Sequence, residues 1–301
     1  MDLQPGQVAL ITGGASGIGL GIARAFGDAG LAVAIADVDV AALEHATAEL
    51  TAAGFINFSV TLDVTDAASW KHAVDQVWDR FGRIDILCNN AGIGQGRREK
   101  GEAAGLINMS ESSWRLIFET NTTGVFLGAH EVVPRIAAQG RPGHIVNTAS
   151  MAGLIAPSGL GAYAASKFAV VALSESLRSE LAPIGIGVSV LCPGGVESRL
   201  NASTEARHAA AAGRPVVSTN PPGVTLMSAE SVGHRVLEAI RSNRLHIITH
   251  PEYRPLVEER HLALLSAFGT SAESGYRDPE PLLRSSRNPC YADAFDSPKQ
   301  D

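Results

Sequence analysis

Tyr163 and Lys167 stand four residues apart in a stretch of helical spacing, so their side chains leave one face, one turn from each other. A free phenol titrates at about pH 10 and is a poor base at neutrality. An ammonium beside it favours the phenolate and brings it toward working range. Such a pair can exchange a proton with a substrate oxygen. An ordinary exposed helix also carries tyrosine and lysine at this spacing, so the chemistry depends on what surrounds them.

A second constellation lies near the N-terminus. An apolar run, 8–11, leads into Thr12-Gly13-Gly14-Ala15-Ser16-Gly17-Ile18-Gly19, whose glycines fall as GxxxGxG and open directly into a helical pattern. Gly13 allows the tight turn, and Gly17 and Gly19 let a pyrophosphate and the next strand come close. The helix N-terminus offers oriented amides to negative charge, with Ser16 and Ile18 in the same cofactor-binding turn. Asp37, eighteen residues beyond Gly19, closes the second expected strand. There a carboxylate accepts hydrogen bonds from both hydroxyls of an adenosine ribose and repels a 2′-phosphate. Ala15, Ser16 and Val38 bring no positive charge and Asp39 adds a negative one, so the expected cofactor is NAD(H), preferred over NADP(H). Asp63 and Val64 border the expected adenine site. Asn89, Asn90, Ala91 and Gly92 shape the floor of the cofactor cleft; each of these two segments alone reads as a turn.

These residues need a scaffold. Short apolar runs at 8–11, 32–36, 57–62, 84–88, 144–148, 187–191 and 246–249 read as strands. Helical spacing fills 17–29, 41–53, 67–81, 112–138, 163–181 and 229–241, and 251–268 looks helical. Ser110 is the expected N-cap of the long helix 112–138, with Pro134 kinking or ending it. Strands apolar on both faces and separated by helices imply a parallel sheet covered on both sides, a doubly wound α/β (Rossmann) fold. One domain, 1–269, is expected, followed by a C-terminal tail, 270–301, that is disordered or packs on a neighbouring subunit. Weak periodicity over 195–225 predicts a mobile substrate-binding flap.

The chain resembles the short-chain dehydrogenase/reductase family over roughly 6–249. The matching motifs are TGGASGIG, DV at Asp63, NNAG at Asn89, Asn121, Ser150 and YAASK from Tyr163 to Lys167. Ser150 precedes Tyr163 by thirteen residues, the family's spacing. The resemblance implies that Tyr163 is the acid/base and that Lys167 lowers its pKa and holds the nicotinamide ribose. It implies that Ser150 bonds the substrate oxygen and that Asn121 anchors a water leading from Lys167. Pro193-Gly194-Gly195-Val196-Glu197-Ser198 is similar to the family's PGxVxT, whose backbone faces the nicotinamide amide, with Ser198 where threonine is usual. It also implies association into dimers or tetramers through helices 112–138 and 163–181. The stretch LHIITHPEYRPLVEERHLALL is similar to a subset of the family acting on aryl-substituted secondary alcohols.

Composition sets the outer limits. With 301 residues, 45% of them hydrophobic, the chain can bury a sizeable core. A net charge of −7 gives no basic footprint for nucleic acid or an anionic membrane. No signal peptide or spanning segment is read, so a cytoplasmic protein is expected. Cys88, Cys192 and Cys290 are too scattered for disulfides or zinc, and His246 and His250, four apart on an expected strand, do not form a helical ligand pair. No metal site is expected. Arg97, Arg98, Glu99 and Lys100 sit in a loop that borders the expected substrate mouth. Met151, Leu154, Ile155, Leu160, Val196 and Leu200 are candidates for its apolar wall. The reaction expected is hydride transfer between NAD(H) and a secondary alcohol or ketone, with Tyr163 as general acid/base and an aryl or other bulky secondary alcohol as the substrate. The other readings are a non-catalytic nucleotide sensor or scaffold, and an isomerase or dehydratase that retains its nucleotide.

Overall fold

The computed structural model describes residues 1–96, 105–212, 225–269, 283–284 and 286–291. Seven strands form one sheet: β1 (Val8–Thr12), β2 (Ala32–Asp37), β3 (Asn57–Thr61), β4 (Ile86–Asn89), β5 (Gly143–Thr148), β6 (Ile186–Cys192) and β7 (His246–Ile248). Every pairing is parallel and the order is β3-β2-β1-β4-β5-β6-β7. The Rossmann architecture follows from strands that are apolar on both faces. Ala9 and Ile11 of β1 join a core with Ile22, Phe26, Val232 and Val236, while Val8 and Leu10 join the opposite core with Trp70, Val74, Val132 and Ile136. Alternate side chains thus feed two layers. Each such aliphatic or aromatic side chain contributes about 1.5–3 kcal/mol by leaving water.

The helices of the first layer are α1 (Gly17–Asp28), α2 (Val40–Ala52) and, further along the chain, α8 (Ala229–Arg241). Those of the second include α3 (Ala67–Phe81) and α5 (Gly124–Ala138). The order reverses beside β1: the chain first adds β2 and β3 on one side, then crosses to β4 on the other. Ligands of such sheets gather in the crevice beyond the C-terminal strand ends at that reversal.

Four expectations change. The long helix is interrupted: α4 (Glu111–Phe118), capped by Ser110 Oγ accepting from Ser113 N–H, passes through a π turn (Glu119–Thr123) before α5 begins. Of the two alternatives at Pro134, ending is ruled out: α5 continues to Ala138, where the expected long helix also stops, and the ring removes one donor while Val132 and Ile136 stay buried. The expected flap contains a helix, α7 (Leu200–Ala212), whose alanines favour helix even without strong periodicity. Residues 286–291 of the tail pack on their own chain. Asn288 Nδ2 donates to Glu175 O (3.1 Å), the Tyr291 hydroxyl donates to Glu175 Oε2 (2.7 Å), and Cys290 is buried beside Val170 and Cys192. Arg97, Arg98, Glu99, Lys100 and 213–224 lie outside the described residues.

Candidate active site

β1 delivers the chain to Gly13, which turns it with φ +62°. A Cβ there would stand 2.9 Å from Ala91 Cα, so only glycine lets this turn meet the end of β4. Thr12 laces the two together: its Oγ1 accepts from Asn90 N–H (2.9 Å) and Ala91 N–H (3.0 Å), and its carbonyl accepts from Asn90 Nδ2 (3.1 Å). Ser16, in extended backbone ahead of α1, makes no side-chain capping bond. The first amides of α1 therefore keep their capacity for an anion at the mouth of the crevice. Gly19 has another use than the one expected. It packs against the carbonyl of Gly13, lets the helix close on its own turn, and does not line the cleft.

At the end of β2, Asp37 is held at the rim, Oδ2 accepting from Ala15 N–H (3.4 Å) and Oδ1 from Asp39 N–H (3.2 Å). Asp63 accepts from Thr65 N–H (3.0 Å) and Oγ1 (2.8 Å), and the Arg207 guanidinium of α7 reaches it from across the cleft at 3.8 Å. Val64 is buried against Gly124. This half of the cleft suits an adenosine: acids at ribose height, an apolar side wall and a helix N-terminus for phosphate.

The other half is built on β5 and α6 (Gly161–Leu181). Gln95 caps α6, its Oε1 accepting from Tyr163 N–H at 2.8 Å, which satisfies one of the orphan amides of the first turn and fixes where Tyr163 leaves the helix. The Ser150 hydroxyl lies close enough to the Tyr163 phenol to favour its ionised form. Ser150 Oγ also accepts from Ala152 N–H (3.1 Å) and lies 3.4 Å from the Pro193 carbonyl. Lys167 is buried, and its Nζ donates to Thr148 O at 2.9 Å and stands 5.8 Å from the centre of the Tyr163 ring. Burial pulls the ammonium down to about 8, with the Cys192 thiol opposing. Burial also pushes the Tyr163 phenol up, and the Ser150 hydroxyl only partly offsets it. The net direction is opposite to the lowering expected from Lys167, because desolvation outweighs the Ser150 contribution.

Asn121 sits in the π turn, fully buried. Its Oδ1 accepts from Ile93 N–H (2.8 Å), and its Nδ2 donates to Ile93 O (2.9 Å) and Ser166 Oγ (3.0 Å). Ser166 Oγ in turn donates to Tyr163 O (2.7 Å). A Cβ on Gly92 would lie 3.1 Å from Asn121 Oδ1 and 3.3 Å from Lys167 Nζ, so both atoms border one small space.

A cleft of about 450 Å³ joins the halves. It is lined by Gly13, Ser16, Gly17, Ile18, Asp37, Asp63, Val64, Asn90, Ala91, Gly92, Ser150, Tyr163, Lys167, Pro193, Gly194, Val196 and Ser198. Of the residues expected in the site, Gly19, Asn89 and Asn121 stand behind this wall, Asn89 Nδ2 donating to Asn147 Oδ1 (2.9 Å). Of the expected apolar wall, Val196 and Leu200 line the cleft with Ile93 and Leu226. Met151 instead starts a short helical turn that folds under α6 into a core with Val170 and Val171, and Leu154 packs on the same core. Gln95, Thr148 and Ser166 were not legible as site residues. Ser166 lies within the YAASK motif, where it reads as a spacer, and Gln95 lies between two glycines with no periodicity around it.

The geometry has counterparts in known proteins. Residues 7–209 match the family model for short chain dehydrogenase. A 1-deoxy-11-beta-hydroxypentalenate dehydrogenase of Streptomyces exfoliatus is 38% identical over 261 residues, covering 84% of this chain and 86% of that one. A C alpha-dehydrogenase of Sphingobium sp. is 34% identical over 270 residues, covering 87% and 86%. Among solved structures, a short-chain dehydrogenase/reductase from Burkholderia phymatum in complex with NAD superposes with a TM-score of 0.80 at 31% identity, covering 92% of this chain and all of the other. The chain therefore belongs to the short-chain dehydrogenase family of oxidoreductases.

Proposed function

We propose that the protein interconverts a secondary alcohol and a ketone using NAD(H), with Tyr163 as the acid/base. The observation that carries this reading is the convergence of Tyr163, Ser150 and Lys167 at one end of a cleft whose other end presents Asp37 and the open N-terminus of α1. When bound, the nicotinamide supplies hydride exchange with the substrate carbon. The chain manages position and protons. Ser150 and Tyr163 offer two hydroxyls to a single substrate oxygen, and a phenol kept protonated by burial is a competent donor to a ketone. Lys167 holds positive charge beside the ring, and the space it shares with Asn121 accommodates a water that returns the proton to solvent.

NAD(H) is preferred over NADP(H) in this proposal because Asp37 occupies the place of a 2′-phosphate. The substrate class is a bulky or aryl secondary alcohol. Ile93, Val196, Leu200 and Leu226 give the same cleft an apolar wall, and similar chains include a 1-deoxy-11-beta-hydroxypentalenate dehydrogenase and a C alpha-dehydrogenase. The enzyme works in the cytosol as a homo-oligomer.

The test is absorbance at 340 nm with NAD+ or NADP+ against aliphatic, steroid, sugar and aryl secondary alcohols. Net formation of NADH from an aryl or polycyclic alcohol is expected. Tyr163→Phe is expected to bind NAD+ normally while turnover falls at least about a hundredfold. A fully active phenylalanine variant ends the mechanism, and a wild type that binds nucleotide without net turnover of any alcohol favours a retained cofactor or a sensor.

A further inference from the structure

The loop Pro193–Ser198 is gripped from both sides. On one side Pro193 O accepts from Met151 N–H (2.9 Å), which ties it to the turn that carries Ser150. On the other side stands His250, at the end of β7, with its ring against the next two peptide units. Gly194 N–H donates to His250 Nδ1 (3.1 Å), and His250 Nε2 donates to Gly195 O (3.2 Å). An amide can only donate and a carbonyl can only accept, so these two contacts require Nδ1 bare and Nε2 protonated. Thr249, wholly buried, donates its hydroxyl to the same Nδ1 (2.6 Å). The ring is buried, lies edge-on to Tyr253 at 6.2 Å, and would stand 2.7 Å from a Cβ on Gly194. The two positions are therefore matched: glycine at 194 is the residue that lets the imidazole close on the loop.

We infer that His250 is a positioning residue for the half of the cleft opposite the adenosine. The inference rests on the proposed NAD(H) reading. With phosphate at the N-terminus of α1 and ribose at Asp37, the second nucleoside runs toward Tyr163, and Gly194 and Gly195 line that stretch of wall. Ser198, at the far end of the loop, lies against Gly17, where α1 begins. The His250 ring does not itself line the cleft; it stands behind Gly194 and Gly195, which do. It sets the height and tilt of the backbone that the nicotinamide meets, and its fixed tautomer makes that setting specific rather than a matter of bulk.

His250→Phe keeps the ring and removes both hydrogen bonds, and His250→Gln restores an acceptor and a donor on a flexible stem. The expected result is a folded Phe variant whose kcat/KM with NAD+ falls about tenfold or more, as two lost backbone bonds imply. Its affinity for ADP-ribose, which lacks the nicotinamide, is expected within twofold of wild type, and the Gln variant is expected to regain most of the loss. In the free enzyme, nitrogen NMR of the His250 ring is expected to show the Nε2–H tautomer. The inference is overturned by a Phe variant with wild-type kcat/KM, by equal losses for NAD+ and ADP-ribose, or by an Nδ1–H ring. A wild-type chain that binds neither nucleotide overturns the reading of the cleft and the inference together. Binding of both with no effect of the Phe substitution overturns the inference alone.

Discussion

Lys167 is carried in the fold at a cost. Its Nζ is buried on one carbonyl, and among the described residues no salt bridge joins it to a carboxylate. A drop from 10.5 to about 8 corresponds to about 3 kcal/mol of destabilisation when the group is charged. The unfolded chain binds the proton more tightly than the fold does, so stability rises with pH between about 8 and 10.5 and the full cost is present below 8. Lys167→Met is expected to raise the melting temperature at pH 7 by a few degrees while abolishing turnover, and the gain is expected to shrink as pH approaches 10.5. Thermal unfolding at pH 7 and pH 10 checks both; a variant less stable at pH 7 contradicts the assignment of cost to the charge. Asp37 makes the complementary case, a rim charge with little structural duty. Asp37→Ala is expected to leave melting unchanged and to weaken the preference for NAD+ over NADP+, measured as the ratio of kcat/KM values. An unchanged ratio shows that another group reads the ribose. The placement of Tyr163, Lys167 and Asp37 on one cleft was legible because each pairs a residue type with a spacing that geometry can use. The direction of the Tyr163 shift was not, since desolvation depends on what the rest of the chain stacks over the phenol.

Elements follow the same division. Every strand was visible within two residues at either end, because a strand buried on both faces leaves an unbroken apolar run. The π turn was invisible. It inserts one extra residue into a helical pattern without breaking its apolar rhythm, yet it turns Asn121 inward toward Ile93 and Ser166. The α7 helix was missed because alanines give propensity without a stripe. Close packing of α1 on α8 was hidden as well. Gly233 of α8 lies against the carbonyl of Gly21, and Gly21 lies against the carbonyl of Ala229, so neither has room for a Cβ. Gly233→Val is expected to destabilise by about 1–3 kcal/mol through overpacking, read as a lower melting temperature. Because α1 also forms the proposed phosphate end of the cleft, affinity for ADP-ribose is expected to fall in parallel. Unchanged melting contradicts the packing argument, whereas lower melting with unchanged affinity separates α8 from the site.

At the scale of the whole molecule, the sheet gathers loops from six strands onto one cleft and leaves the flanking helices to make the outer surface. Among the described residues, no helix is long and apolar enough to cross a membrane. The surface is nonetheless not uniformly polar. On α5, Phe126 is 52% exposed and stacks on His130 of its own helix; on α4, Trp114 is 37% exposed over Phe118. An aromatic ring contributes most when it is desolvated against a partner, and such residues dominate protein interfaces. This surface belongs to one of the two helices through which the proposed homo-oligomer associates. A two-fold contact buries the same patch on both subunits, so a charge introduced there is desolvated once on each side without a partner. Light scattering on the wild type is expected to give a multiple of 31.4 kDa. Phe126→Glu is expected to shift the mass toward a single chain with its secondary structure intact. A wild type that is already a single chain removes the homo-oligomer from the proposal, and a Phe126→Glu variant that keeps the wild-type mass moves the interface to a different face.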